Sequence, residues 1–360
     1  GVVATTLARA ACGSDSSSSN DASGGAAGNA FGGGSAEGSG GNTGGLGGNN
    51  ASGSAAGDAF GGGFAEGSGG NTGGLGGEVV EPRGACPRET QVGRFTVARQ
   101  PDFPVVQGTV FDGVVPTAIP EVVGEQHGCT VLRRRNLGCI PPCDPTSETC
   151  GEDGHCIPYP RQIPVGTVTI SGLTKPVKME PLSPGATYFA SGIDNPPFVP
   201  GSEILLVAAG TDERSGFRLA GRGFTPLVEA PTWVLEQGQP LSIDWEPAPE
   251  SVGTRVAIEL TVDQHGVTPL SLSCDFEDTG SAEVPRSIVD QLITIGVSGF
   301  PNGRITRQTV DHLDIDAGCV ELVVGSPVVA TVRVAGYTPC KGPDDCPSGQ
   351  TCNTAKQLCQ

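Results

Sequence analysis

The sequence predicts an all-β protein: two β-sandwich-like domains, stapled by disulfides, behind a long glycine-rich tether. Three observations carry that expectation. Short apolar runs with period-two alternation follow one another from Phe95 onward. Between them, Pro and Gly clusters fall roughly every eight to twelve residues, the spacing of sandwiches and barrels. Twelve of the thirteen cysteines lie beyond residue 80, mostly in two polar clusters. Such usage reads as a disulfide framework in an oxidising compartment.

Residues 1–12 (GVVATTLARAAC) read as a signal-peptide remnant ending at Cys12. Residues 13–82 read as a Gly/Ser-rich tether that carries a tandem repeat. Ala22–Gly48 and Ala51–Gly77 differ only at Gly25/Ser54, Asn29/Asp58 and Ser35/Phe64. Each copy offers almost no apolar side chains, and ordering glycine costs the most entropy, so the repeat cannot offset the cost of folding. As a flexible coil it would span about 40–50 Å.

Residues 83–230 read as one β-domain with a cysteine-rich loop (129–160) inserted between strands; the alternative is a free-standing module at 129–160. Val165–Leu173 alternates, and Ile204–Val207 is a continuous apolar run of the kind found in strands covered on both faces. Residues 231–339 read as a second sandwich. There Val256, Ile258, Leu260 and Val262 alternate with polar residues, the chain turns at Gln264-His265-Gly266, and it returns through Leu270, Leu272, Cys274 and Phe276. That is a hairpin with one buried face, and Cys274 lies on it. Pro285–Gly296 carries an apolar stripe of Ile288, Val289, Leu292, Ile293 and Ile295 and predicts one helix. Ile204–Val207, Ile258–Val262 and Val320–Val324 are the expected core strands. Residues 340–360 form a terminal cysteine-rich unit. Trp245 alternates with core positions and resembles the buried tryptophan of immunoglobulin-like sandwiches.

Composition narrows the function classes. Asp plus Glu number 39 against 21 Lys plus Arg, a net charge of −18. Nucleic-acid phosphates need a basic face, and anionic lipid repels such a surface. No run of eighteen apolar residues is present to span a bilayer.

The first cluster, Cys139, Cys143, Cys150 and Cys156, begins Cys-Ile-Pro-Pro-Cys. Two prolines favour an extended backbone with the two Cα atoms about 12 Å apart. A disulfide needs them within about 7 Å. Cys139–Cys143 is therefore excluded. The interleaved pairing (Cys139–Cys150, Cys143–Cys156) and the nested one (Cys139–Cys156, Cys143–Cys150) remain, the interleaved one preferred. By domain, Cys86 should pair with Cys129 and Cys274 with Cys319. Against the second pairing, Cys319 is out of phase with Val320, Leu322 and Val324. Zinc usually takes Cys-x2–4-Cys knuckles, and only Cys139/Cys143 has that spacing, so no metal is expected.

The terminal cluster, Cys340, Cys346, Cys352 and Cys359, centres on Cys346-Pro347-Ser348-Gly349-Gln350-Thr351-Cys352 and resembles small knottin-like and Dickkopf-like extracellular modules. The resemblance implies the pairing Cys340–Cys352 and Cys346–Cys359. Ala10-Ala11-Cys12 followed by a Ser/Gly run resembles the lipidation site of bacterial surface lipoproteins, although Arg9 stands where that family carries Leu. The resemblance implies a lipid on the Cys12 thiol and an outer-surface location.

Candidate catalytic features are sparse. Asp278-Thr279-Gly280 is the aspartic-protease triplet in one copy, where that chemistry needs two. Asp311, Asp314 and Asp316 form an acidic run without EF-hand spacing. The four histidines are scattered, and no G-x-S-x-G elbow occurs. Arg133-Arg134-Arg135 is the one basic run; it could contact an anionic ligand, or guard a strand edge. The expectation is a non-catalytic, surface-anchored binding or structural module, without cofactor, whose partner is an envelope protein or glycan. The alternative is a secreted hydrolase with an unrecognised active site.

Overall fold

The computed structural model describes residues 81–250, 253–263 and 270–360. Cys12, the tandem repeat and most of the expected tether lie outside the described residues, as does the hairpin tip with His265.

In chain order the strands are β1 (Gln91–Arg99), β2 (Pro104–Val110), β3 (Glu121–Gln126), β4 (Cys129–Arg133), β5 (Glu148–Cys150), β6 (Cys156–Pro158), β7 (Val168–Ser171), β8 (Val177–Met179), β9 (Tyr188–Ala190) and β10 (Glu203–Ala208). There follow β11 (Phe217–Arg222), β12 (Trp233–Leu235), β13 (Leu241–Asp244), β14 (Arg255–Thr261), β15 (Leu270–Glu277) and β16 (Ser281–Val284). Helix α1 (Arg286–Ile295) precedes a long hairpin, β17 (Asn302–Ile315) and β18 (Gly318–Val334). Two short strands, β19 (Cys352–Asn353) and β20 (Leu358–Cys359), come last.

The chain is all-β and organises around one ten-stranded sheet in the order β3-β4-β15-β14-β17-β18-β1-β2-β9, with β12 also on β18. Its pairs are antiparallel except β1–β18 and β12–β18, which are parallel. The expected core strands sit in β10, β14 and β18. Strands β14 and β15 pair with Ile258 opposite Cys274 and Leu260 opposite Leu272, so the period-two pattern does face one core.

Two apolar cores lie against this sheet. In one, the four-stranded sheet β11-β10-β7-β8 packs on β1, β2 and the first half of β18, burying Phe95, Val106, Ile170, Leu206 and Leu322. In the other, the β13–β16 pair and α1 pack on β4, β15, β14 and the end of β18, burying Ile243, Ile258, Leu272, Leu292 and Val332. Each is sandwich-like, but the expected boundary at residue 230 is corrected. Strand β4 pairs with β15, and β1 pairs with β18, so strands from both sides of that boundary share one sheet. The physical reason is the length of β17 and β18: one hairpin runs through both cores.

Local chemistry explains several details. In the β3–β4 hairpin His127 (φ 48°) and Gly128 (φ 74°) both take positive φ, the two-residue turn that matches strand twist. Gly108 faces Phe95 across β1–β2, and a Cβ there would lie 2.1 Å from the ring, so only glycine fits. Helix α1 buries Ile288, Val289, Leu292 and Ile293 and ends at Gly296, while Ile295 falls off the stripe and is half exposed. Gln291 Nε2 on α1 donates to Val123 O at 3.1 Å and covers the outer edge of β3.

The free edge of β11 is met by side chains of β17 rather than by another strand. Ala220 N–H donates to Asp311 Oδ2 at 2.7 Å and Arg222 N–H to Thr309 Oγ1 at 3.0 Å. Thr309 Oγ1 donates in turn to Arg222 O at 3.2 Å.

Candidate functional site

The two cysteine clusters fold into the same unit twice. Cys139 bonds Cys150 and Cys143 bonds Cys156; Cys340 bonds Cys352 and Cys346 bonds Cys359. In each, a two-stranded ribbon sets the third cysteine opposite the fourth: Cys150 opposite Cys156 on β5–β6, and Cys352 opposite Cys359 on β19–β20. Each of these reaches back to an earlier cysteine, which laces the ribbon to the chain before it. Within the Cys139–Cys143 segment the Ile140–Pro141 peptide is cis. Sulfurs of Cys139, Cys143 and Cys150 lie within 4.8 Å of one another, as do those of Cys340, Cys346 and Cys359. All six belong to S–S bonds, whereas zinc binds thiolates.

The modules are seated differently. Leu358 of the second enters a core, and Lys356 O accepts from Gly299 N–H at 2.6 Å. The first touches the body through buried Thr149, whose Oγ1 lies 3.1 Å from Thr117 Oγ1, and projects a fully exposed Ile140.

The arginine run at the base of the first module is largely committed. Arg133 Nη2 lies 2.8 Å from Glu121 Oε2, its cross-strand neighbour on β3, and Arg135 Nη1 lies 2.6 Å from Glu152 Oε1. Arg134 is exposed and makes no ion pair among the described residues. Arg133 and Arg134 line a depression of about 710 Å3 together with Thr117, Asp263 and Ser271.

The remaining four cysteines correct the expected pairing. Cys86 bonds Cys319 and Cys129 bonds Cys274. Strand β4 lies in register with β15, placing Cys129 directly opposite Cys274 on the core side. Cys319 points to the other face of the sheet, where the segment before β1 crosses it. The phase of Cys319 against Val320, Leu322 and Val324 held this signal: a cysteine on that face cannot bond one on the core face.

Of the acidic residues singled out above, Asp278 and Asp311 are tied into the fold by ion pairs. Asp278 is buried and accepts from Trp245 Nε1 at 2.7 Å and Thr254 Oγ1 at 2.9 Å, with Arg307 Nε 2.7 Å away. Buried Arg307 also donates to Thr225 O at 2.7 Å and to Glu246 O. Burial pushes the Asp278 carboxyl up, but bonds from Arg307, Thr254 and Trp245 outweigh it and hold it below the usual aspartate value. In the acidic run, Asp311 turns inward while Asp314 and Asp316 stay exposed. Asp311 is fully buried and takes a bidentate grip from Arg83, Nε to Oδ1 at 2.8 Å and Nη2 to Oδ2 at 3.1 Å. Here too burial raises the carboxyl and the bonds from Arg83 and Ala220 N–H bring it below its ordinary value.

Sequence reasoning missed a groove of about 1250 Å3 on the polar face of the large sheet. One wall is the segment from Pro82 to Arg94. It lies along β17 where β14 ends: Gly84 N–H donates to Val310 O at 2.8 Å, and Cys86 N–H to buried Glu321 Oε2 at 3.0 Å. Arg94 Nε lies 2.5 Å from Glu321 Oε1. The floor carries two cross-strand ion pairs, Arg255 with Asp275 at 2.7 Å and Arg304 with Glu259 at 3.6 Å, and the hydroxyls of Ser271 and Ser273.

The sheet must coil to make this groove. Arg88 Nη2 lies 3.4 Å from Ser273 Oγ. Ser273 is in register with Glu259 and Arg304, and Cys319, bonded to Cys86, is in register with Asp314. From Arg304 to Asp314 is about 33 Å of strand. Arg88, two residues after Cys86, can reach Ser273 only because the sheet's right-handed twist folds its polar face into a trough.

No family model matches this chain, and no curated protein matches it.

Proposed function

We propose that the protein is a non-catalytic binding and structural module of the cell envelope, secreted and held at the outer surface by a lipid on Cys12. The observation that supports this best is the pinning of the polar groove by disulfides. Cys86–Cys319 fixes the groove wall to the sheet, and Cys129–Cys274 ties the strands at its other end. Six disulfides agree with an oxidising compartment. A rigid, preformed concavity loses little freedom when it binds. A secreted hydrolase would want convergent carboxylates or a Ser–His pair in its cleft. In this groove Glu259, Asp275 and Glu321 each face an arginine, which favours recognition over proton transfer. The Arg133–Arg135 base of the first module is a second contact region, with Arg134 as its available charge.

The test is fractionation of cells producing the full chain, with mass spectrometry of the mature N-terminus. The reading expects an acylated Cys12 as first residue and labelling of intact cells by a membrane-impermeant reagent. A cytosolic protein with unmodified Cys12 overturns it.

A further inference from the structure

The first cysteine module is joined to the sheet by a loose link. Arg133-Arg134-Arg135 is the one stretch of consecutive basic residues in the chain. It falls where β4 ends and the module begins. From Arg134 to Gly138 there is no helix or strand, and Arg134, Asn136 and Gly138 are exposed. No backbone N–H or C=O of these residues has a hydrogen-bond partner among the described residues. Arginines in other irregular stretches are pinned. Arg83 N–H donates to Asp311 Oδ1 at 3.0 Å. Arg161 N–H donates to Asp112 Oδ1 at 2.7 Å, and Arg161 O accepts from Asp112 N–H at 3.0 Å. Burial and backbone bonding decide where a folded chain is nicked, and an exposed segment free of such bonds enters a protease cleft most readily.

We propose that this run is a processing site, where a secreted serine endopeptidase with an acidic specificity pocket hydrolyses the peptide bond before or after Arg135. The proposal goes beyond the binding-module reading and takes from it only the secreted location. Exposed Arg134 makes no ion pair among the described residues, so its guanidinium is free to meet a carboxylate in such a pocket. Arg135 pairs with Glu152 on the surface, a contact given up at small cost. In the reaction water adds across the amide. The arginine before the broken bond keeps the new carboxylate, and Arg135 or Asn136 takes the new ammonium. The disulfides let the fold survive the cut. Cys86–Cys319 and Cys129–Cys274 each join a cysteine before the run to one after it, whereas Cys139–Cys150 and Cys143–Cys156 lie wholly after it. Strand β4 keeps both its neighbours, β3 and β15. The product is two chains joined by two disulfides. Its first module is free at one end, and is held by the chain after β6 and by the contact of Thr149 with Thr117.

The experiment has two arms, both on the full chain. Protein purified without reductant from the cells that naturally make it is run unreduced and reduced, and its N-termini are read by mass spectrometry. The expected result is one species unreduced and two fragments on reduction, one of them starting at Arg135 or Asn136. In the second arm the uncut chain and the variant Arg134→Gln/Arg135→Gln meet a low dose of trypsin; circular dichroism with thermal melting checks that the variant folds. Within the described residues the first cut of the wild type should fall in the run, and the variant should survive about tenfold longer. A native chain intact at the run, a first trypsin cut elsewhere in the described residues, equal survival of the variant, or fragments that part without reductant overturns the proposal. A native chain acylated at Cys12 but uncut at the run removes the processing site alone. A cytosolic chain with unmodified Cys12 that is nonetheless cut at the run removes the envelope reading alone.

Discussion

Asp311 and Asp278 illustrate how single residues carry this fold. Both stand in stretches where sequence motifs invite a catalytic or calcium reading, yet both carboxylate side chains are covered and engaged. Asp311→Asn weakens the hydrogen bonds to Arg83 and to the β11 edge, but the guanidinium it leaves is 41% exposed and open to water, so stability should fall by about 1–3 kcal/mol in denaturant titration at neutral pH. The folded carboxyls of both aspartates lie below the ordinary value. Their contribution is therefore present above the unfolded value near about 4 and drains as pH falls through it toward the lower folded value. Wild-type stability should fall over that acid window, and Asp311→Asn should flatten the slope; an unchanged slope contradicts the assignment. Neither role was legible in the sequence, because burial and the identity of Arg83 and Arg307 as partners depend on strands far away in the chain.

At the scale of elements, periodicity was the reliable guide. Alternation over Val256–Val262 and Leu270–Phe276 located the β14–β15 hairpin and its buried face, and Ile258→Ala should cost about 2–5 kcal/mol by creating a core cavity. The apolar stripe and flanking Pro285 and Gly296 located α1. For the first cysteine module the spacing left the interleaved and nested pairings open, with the interleaved one preferred, and for the second the pairing came only from its resemblance to knottin-like modules; both are interleaved in the structure. What spacing could not reveal was long-range pairing. Cys86–Cys319 spans 233 residues, and only the register of β1 on β18 brings its ends together. Removing it with Cys86→Ser/Cys319→Ser should lower stability by about 2–5 kcal/mol. Hydrogen exchange should then rise first in the segment from Pro82 to Arg94; protection there equal to wild type would show that the ion pairs alone hold the groove wall.

At the scale of the whole molecule, the sequence suggested two successive domains, and the structure has two cores on one shared, coiled sheet. Each core is built mainly from one half of the chain. The sheet is shared because β17 and β18 are long enough to serve both cores, with β1 pairing on β18 and β4 on β15. The groove was invisible for the same reason: its wall and floor come from residues about 180 apart, Arg88 and Ser273, and meet only when the sheet coils. The two long-range disulfides join the halves covalently. Peptide mapping of the unreduced, full-length protein by mass spectrometry therefore probes this architecture. Linked peptides containing Cys86 with Cys319 and Cys129 with Cys274 are expected; peptides linking Cys86 to Cys129 or Cys274 to Cys319, or free thiols among these four, would rule out the shared sheet.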